Sequence, residues 1–185
     1  MDLMGALPEP AAYVAPTAPE RWHYLYSNAF SPRAALRYIG TATFSQAGNS
    51  IPEWDQGFEG YGKRLGWVSL SEVTHLTAES ALAAALHEDV LYYRCSCTGF
   101  WRRMGHALWS QAASRRPDGS RQISIARPIG AYAGAFVGIS VLPDRFNIKG
   151  DGVRNGTYSY AYGFPLNIAR EFWPEIRRSV LRRTD

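Results

Sequence analysis

Lysine is almost absent from this basic chain of 185 residues. Lys63 and Lys149 are the only lysines, so arginine supplies 18 of the 20 basic side chains behind a net charge of +4. Arginine binds carboxylates and phosphates through two parallel hydrogen bonds and stacks on aromatic rings, whereas lysine acts as a point charge. Such a chain suits lipid head groups, nucleic acid or acidic proteins, and four excess charges do not select among them.

Cysteine is scarce as well, with only Cys95 and Cys97 present. A single residue between them argues against an unstrained disulfide within the chain, given the Cα separation that such bonds prefer. A structural zinc site normally needs four ligands, and Cys-x-x-Cys spacing is absent. We therefore expect no metal at the cysteines, and their redox state stays open.

Several other signals are missing. The longest apolar run, 128–142, has 15 residues, which is too short for a conventional membrane-spanning helix. The N-terminus lacks the basic and apolar segments of a secretory signal peptide. No P-loop, dinucleotide fingerprint or G-x-S-x-G nucleophile elbow occurs. These absences exclude the common nucleotide-binding and α/β-hydrolase motifs, and we expect no cofactor.

Helical periodicity dominates what is present. Apolar residues recur at helical spacing and predict a mainly α protein, a single-domain bundle of about five helices. We assign residues 1–20 to a Pro/Ala-rich extended tail and 21–185 to the domain. The predicted helical regions are 21–48, 52–87, 100–114, 128–142 and 157–183. An alternative is that "RQISIA" and "TYSYAYGF", which alternate at period two, form strands.

Proline, glycine and capping residues refine these boundaries. Ser31 and Pro32 are expected to cap and restart the first region. The second has several glycines and can break within 66–69, whereas Thr98 is a candidate cap for the third. Pro165 and Pro174 are expected to kink or restart the last region.

Glycine has an ordered pattern in "GAYAGAFVG". Gly130, Gly134 and Gly138 are spaced by four, so on a helix they form one face without side chains. Another backbone can approach such a face closely, as in membrane helix pairs. In water each interior glycine costs about 1 kcal/mol relative to alanine. We therefore expect close helix packing within the chain; packing between copies, giving a homo-oligomer, or within lipid is the alternative.

The stretch "AAALHEDVLYYRCSC", residues 83–97, joins a helical pattern to a polar cluster. One interpretation is a His87–Asp89 acid/base pair, with Ser96, Cys95, Cys97 or Ser110 as the nucleophile. The other is a helix C-terminus, where a charged histidine is favourable. Adjacent helical residues diverge by about 100°, which favours the structural interpretation.

Helix spacing offers one metal-ligand set. Glu72, His75 and Glu79 lie at i, i+3 and i+7, so they share a face. A di-metal carboxylate site would need a second helix with ligands. We interpret this set as a solvated face.

Arginine and aromatic residues occur together in "GFWRRMGHALW" and "EFWPEIRRSVLRR". Tryptophan and arginine at helical spacing are typical of membrane-interface contacts and of cation–π stacking. The predicted binding residues are Arg94, Trp101, Arg102, Arg103, His106, Arg177 and Arg178.

Four phrases in the same order resemble one protein family: "PEWDQGFEGYGKR", "ALHEDVLYYR", "GFWRRMGHAL" and "EFWPEIRR". They are similar to E-W-G-Q-G-x-x-G-Y-G-x-R, A-L-H-E-D-P-R-Y and E-F-W-P-D-I in bacterial proteins that look exported and have no known activity. The resemblance spans about residues 22 to 180 and implies a location in the cell envelope. Asp55 replaces a glycine of that pattern, and Val90-Leu91 replaces Pro-Arg, so any anion contact of that Pro-Arg is lost.

The leading hypothesis is a non-catalytic envelope protein that contacts membrane lipid or a protein partner through its arginine and aromatic surfaces. We expect anionic lipid or an envelope protein as partner, and no nucleic acid. The alternative is a hydrolase or transferase that acts on an envelope lipid or small ester through His87 and Asp89.

Overall fold

Helices dominate the computed structural model, which describes residues 5–10 and 12–181, with side chains to residue 179. Within these ranges, six α-helices surround short strands and one 3-10 turn, Pro52–Trp54. The helices are α1 (Ala18–Ala29), α2 (Pro32–Ala47), α3 (Phe58–Ala85), α4 (Phe100–Ala112), α5 (Ala126–Ser140) and α6 (Ile148–Leu181). The prediction of a mainly α helical bundle is confirmed.

The strands are short and tie loops together. β1 (Ala6–Leu7) pairs in parallel with β2 (Tyr92–Tyr93), and β3 (Ala113–Arg115) pairs antiparallel with β4 (Arg121–Ile123). The alternation in "RQISIA" thus marks a real strand, whereas "TYSYAYGF" lies inside α6 and its strand alternative is wrong. β1 thus joins the start of the described chain to the segment between α3 and α4. α1 begins at Ala18, so residues 18–20 of the predicted tail are helical.

The first helical region is divided as predicted. α1 ends at Ala29, and α2 begins at Pro32. The Ser31 side chain accepts a hydrogen bond from the backbone N–H of Ala34 over 3.3 Å. This is the N-cap that the Ser-Pro pair indicated.

The second region begins later than predicted and has no break within 66–69. Its start is set by Arg64, whose side chain is fully buried. The guanidinium donates to the carbonyls of Asp55 and Ile51 over 2.9 Å and 2.6 Å, and to Gln46 Oε1 over 2.7 Å. Residues 49–57 therefore form a loop around the Arg64 guanidinium, and α3 starts after this loop at Phe58.

The last helix begins nine residues earlier than the sequence indicated. Asn147 Oδ1 accepts the N–H of Lys149 over 2.8 Å, and Asp151 accepts that of Asn147, so the start is well capped. The glycines that predicted a loop are needed for packing, because a Cβ at Gly152 would meet the Phe136 ring at 2.6 Å. α6 then continues through Pro165 and Pro174 without a restart.

The helices lie in series, α2–α3–α5–α6–α4, with α1 against α2 and α3. Buried apolar residues form only small clusters in the described part of the chain. One joins Ala34, Tyr38 and Val68, and another joins Ala83, Val90 and Ala126. Close helix contact through small residues therefore takes the place of a large side-chain core.

The glycine face of α5 packs on α3 of the same chain. A Cβ at Gly130 would lie 2.7 Å from Glu79 Cβ, and one at Gly134 would lie 2.7 Å from His75 Cβ. A Cβ at Gly138 would collide with the Ser71 side chain. The expected packing within the chain is confirmed at these three glycines, whereas a homo-oligomer stays a prediction.

Replacing Gly134 with alanine should destabilise the protein by about 1–3 kcal/mol, because overpacking forces the two helices apart. Gly66 in α3 is the matched control, since no atom lies within 4 Å of a Cβ there. Gly66→Ala should raise the free energy of unfolding by about 0.5–1 kcal/mol. Urea denaturation of both variants measures the difference, and a Gly134→Ala variant as stable as wild type contradicts the packing.

Candidate functional site

The His87-Glu88-Asp89 cluster lies where α3 ends. The Glu88 N–H donates to the Ala83 carbonyl over 2.8 Å, and the His87 N–H donates to the Ala84 carbonyl over 3.4 Å. With a φ of 54°, His87 occupies the left-handed position of a Schellman motif, where glycine is usual. His87 is exposed, and across the described residues no hydrogen bond or ion pair joins its side chain to Asp89.

Glu88 turns inward and caps α5. Its side chain is buried and accepts hydrogen bonds from Ser124 Oγ over 2.7 Å and from the Ile125 N–H over 2.9 Å. A carboxylate at a helix N-terminus satisfies free N–H groups and is favoured by the helix dipole. The Glu88 carbonyl also accepts from Arg21 over 2.7 Å. Glu88 therefore joins α3, α5 and α1.

Asp89 binds the N-terminal segment. Its carboxylate accepts from the hydroxyls of Tyr13 and Tyr93 over 2.9 Å and 2.8 Å, and from the Leu91 N–H over 2.9 Å. Burial and the Asp89 charge raise the pKa of both tyrosines. The Arg115 guanidinium lies over both rings. An Asp89 engaged in this way does not orient His87, so the acid/base pair stays a prediction without geometric support.

Asp89 lines a small cleft, and His87 is not among the residues that line it. Among the candidate nucleophiles it contains Ser110. The other polar or charged side chains that line it are those of Asp89, Tyr93, His106 and Ser114, with Arg115, Arg121 and Arg127. Arg127 is buried and donates to the carbonyls of Val90, Ser110 and Ala113. Arg127 is thus engaged in holding the backbone.

Glu171 of α6 is the centre of a second buried polar cluster, and the sequence did not single it out. Its side chain is fully buried and accepts from the Tyr92 hydroxyl over 2.7 Å, from the Cys95 N–H over 3.2 Å and from Arg103 Nε over 3.3 Å. Burial would raise the pKa of Glu171, but these donors and His106 outweigh burial and lower it. Through Glu171 the motif "EFWPEI" thus connects β2, α4 and α6, and we call this cluster of buried contacts the Glu171 joint.

Three predicted binding residues belong to this joint. The His106 side chain is only 7% exposed, with Nδ1 3.6 Å from Glu171 Oε2. Arg103 bridges Glu171 and Glu175, and Arg94 Nε donates to the Arg170 carbonyl over 3.1 Å. These side chains connect elements, so their contribution to a binding surface is at most partial.

The two cysteines, whose redox state the sequence left open, form a disulfide. Their Cα atoms are 5.1 Å apart, within the range that disulfides use. The Cys95 backbone is held by Glu171, which accepts the Cys95 N–H over 3.2 Å. The third helix is capped by Gly99, at a φ of 94°, instead of Thr98.

The remaining predicted binding residues are Trp101, Arg102, Arg177 and Arg178. Together with two aromatic residues that were not predicted, Phe100 and Phe172, we call them the α4/α6 patch. The Phe100 ring lies 5.4 Å from Phe172 and 5.1 Å from Trp101. Trp101 is 80% exposed and Phe100 is 54% exposed. All three arginines are exposed. In α4 the patch thus presents two aromatic rings and the adjacent Arg102 to solvent, and in α6 it presents Arg177 and Arg178.

The proposed ligand set on α3 is divided between neighbours. Glu72 lies 3.6 Å from Arg37, whereas Glu79 pairs with His75 at 3.3 Å and with Arg127 at 3.8 Å. Burial would lower the pKa of His75, but Glu79 outweighs burial and raises it. Among the described residues, no group of three potential metal ligands converges. The interpretation as a solvated face is wrong for Glu79, which is buried.

No family model, no curated protein and no solved structure matches this chain. The resemblance of the four ordered motifs to an exported family therefore stays a prediction. Within residues 5–10 and 12–181, no helix has both the length and the apolar character that a membrane crossing requires. The functional inference has to be drawn from side-chain chemistry.

His87→Gly should stabilise the protein by about 1 kcal/mol, because a non-glycine residue in the left-handed region is strained. His87→Ala keeps that strain and should leave the free energy of unfolding nearly unchanged. Thermal denaturation of the two variants separates these effects. A loss of stability with glycine contradicts the proposed helix end.

Glu171→Gln should destabilise the protein by about 3 kcal/mol at neutral pH, because the buried donors lose a charged acceptor. A carboxyl group whose pKa is lowered in the folded state stabilises the protein at pH values above its unfolded pKa of 4.5. This contribution is lost as the pH falls through the pKa of the folded state. The difference in the free energy of unfolding between wild type and variant should therefore become smaller below pH 4.5.

The matched control is Glu175→Gln, which also removes a partner of Arg103 but from an exposed position. This substitution should lower the free energy of unfolding by about 0.5 kcal/mol or less. Urea titrations at a series of pH values compare the two variants. Equal effects would contradict the central role of Glu171.

Proposed function

We propose that the protein binds an anionic lipid surface through the α4/α6 patch, as a non-catalytic component of the bacterial envelope. The observation that carries the proposal is the exposure of Phe100 and Trp101 next to Arg102 in α4, with Arg177 exposed on the α6 helix that they contact. Across the described residues, these two arginines form no ion pair or side-chain hydrogen bond. Their charge is therefore available to an external anion.

The geometry of the patch supports an interfacial contact. Arg103 binds Glu175 at 2.9 Å and lies 4.4 Å from the Phe172 ring centroid, which fixes α4 against α6 beneath the exposed rings. A fixed aromatic platform loses little conformational entropy when it enters the head-group layer. Aromatic rings with a polar surrounding are favoured where apolar phase meets water.

The charge is compatible with an anionic lipid surface as the partner. Arginine side chains match phosphate oxygens in pairs, and the chain carries a net charge of +4. Each basic residue near an anionic leaflet contributes about 1 kcal/mol. The resemblance to exported bacterial proteins agrees with a membrane surface as the place of action.

Vesicle co-sedimentation tests this function. The wild-type protein should bind vesicles that contain phosphatidylglycerol at low ionic strength and not vesicles of phosphatidylcholine alone. Arg102→Ser combined with Arg177→Ser should lower the partition coefficient about 30-fold, which is the effect of two cations. Trp101→Ser should also weaken binding, because it removes the most exposed ring of the patch.

Trp22→Ser and Arg121→Ser are the matched controls, since both residues are exposed and lie outside the patch. They should bind vesicles like wild type. Absence of binding to the anionic vesicles at low ionic strength would exclude the lipid function and leave a protein partner. An equal loss in the control variants would show non-specific attraction.

A further inference from the structure

We propose that Cys95 and Cys97 form a redox-active pair that exchanges its disulfide with external thiols. This inference is independent of lipid binding, because it rests on the segment between β2 and α4 instead of the α4/α6 patch. Its substrate class is a thiol, either a small molecule or the cysteines of a protein.

The disulfide contributes little to holding the fold. It closes a loop of three residues, and the stabilisation from a crosslink is smallest for the shortest loops. The segment is already fixed by other contacts. The Arg94 N–H donates to the Leu7 carbonyl over 2.8 Å, and the Cys95 N–H binds Glu171. The bond between the sulfurs can therefore open without loss of the local structure.

The pair is open to attack by a thiolate. Cys95 and Cys97 are partly exposed, and Ser96, Thr98 and Gly99 around them are exposed. Structural disulfides of secreted proteins resist reduction, whereas exposed disulfides are the labile or catalytic ones. Here the chain places an accessible disulfide on a segment that other contacts already hold.

One hydrogen bond distinguishes the two sulfur atoms of the pair. The Cys97 N–H donates to Cys95 Sγ over 3.2 Å, so it stabilises a thiolate on Cys95. A hydrogen bond to the charged form lowers a pKa, and a thiol of lower pKa leaves faster. We infer that the external thiolate attacks Cys97 Sγ and that Cys95 is the leaving group.

The exchange takes place in two steps. The substrate thiolate forms a bond to Cys97 Sγ while the Cys95–Cys97 bond breaks, which leaves a mixed disulfide and a Cys95 thiolate. A second substrate thiolate then attacks the substrate sulfur of the mixed disulfide and releases the Cys97 thiolate. Two electrons pass from the two substrate thiols to the cysteine pair, and their two protons pass to solvent or to the new thiols. The negative charge of nearby Glu171 is offset by Arg103 at 3.3 Å.

The redox equilibrium of the wild-type protein is the first test. The protein is incubated in glutathione buffers of increasing reduced fraction, trapped by alkylation and measured by mass spectrometry. The pair should pass from oxidised to reduced within the glutathione range, and the two forms should have similar circular dichroism spectra. A disulfide that stays oxidised in a large excess of reduced glutathione, or a reduced form that unfolds, would overturn the proposal.

Single variants test the direction of attack. In Cys97→Ser the remaining Cys95 thiol should have the lower pKa, and at neutral pH it should react with iodoacetamide about threefold or more faster than Cys97 does in Cys95→Ser. Equal rates would overturn the assignment of Cys95 as leaving group. The double variant Cys95→Ser/Cys97→Ser should fold like wild type and show no exchange.

A turnover assay distinguishes the two substrate sources. In a glutathione buffer, wild-type protein should accelerate disulfide formation in a reduced, unfolded model protein if protein thiols are the substrate. Exchange with glutathione without this acceleration would assign small thiols. If the double variant matches wild type in both arms, the proposal fails.

Discussion

The close approach of α5 to α3 is the constraint on which the rest of the structure depends. Gly130, Gly134 and Gly138 leave the α5 side of the contact without side chains, so α3 approaches the α5 backbone more closely than larger residues would allow. The approach places Glu79 of α3 beside Arg127 at the start of α5. Because Arg127 then reaches three carbonyls, those of Val90, Ser110 and Ala113, the helix contact also fixes the segments that follow α3 and α4.

Buried ions do much of the joining that apolar side chains do in other domains. Arg64 closes the loop before α3, Glu88 caps α5, and Glu171 connects β2, α4 and α6. Each is surrounded by partners, as burial of a charge requires. Such groups specify an arrangement strongly, because a misplaced element leaves a charge unpaired.

The structural features that depend on neighbouring residues in the chain could be predicted from the sequence. The helical class, the division at Ser31-Pro32 and the glycine contact follow from spacing, capping and proline geometry, and all three are present. The missed features depend on partners far along the chain. Residues 148–156 are helical because Phe136 and Tyr132 fill the places of glycine side chains, and propensity alone cannot show this. Asp89 looked like a catalytic partner of His87, but the tyrosines that bind it include Tyr13, 76 residues away.

The Glu171 joint also determines which residues remain available for chemistry. It holds the Cys95 backbone on one side and Arg103 on the other, so the segment between them, 96–102, is anchored at both ends. Ser96, Thr98, Phe100 and Trp101 in this segment are exposed although their backbone is fixed. Because a fixed backbone presents side chains at little entropic cost, the disulfide and the aromatic patch are better suited to contact other molecules than to stabilise this one. The motifs that look most like a catalytic cluster thus serve as joints, and the segment that they hold is the part whose side chains face solvent.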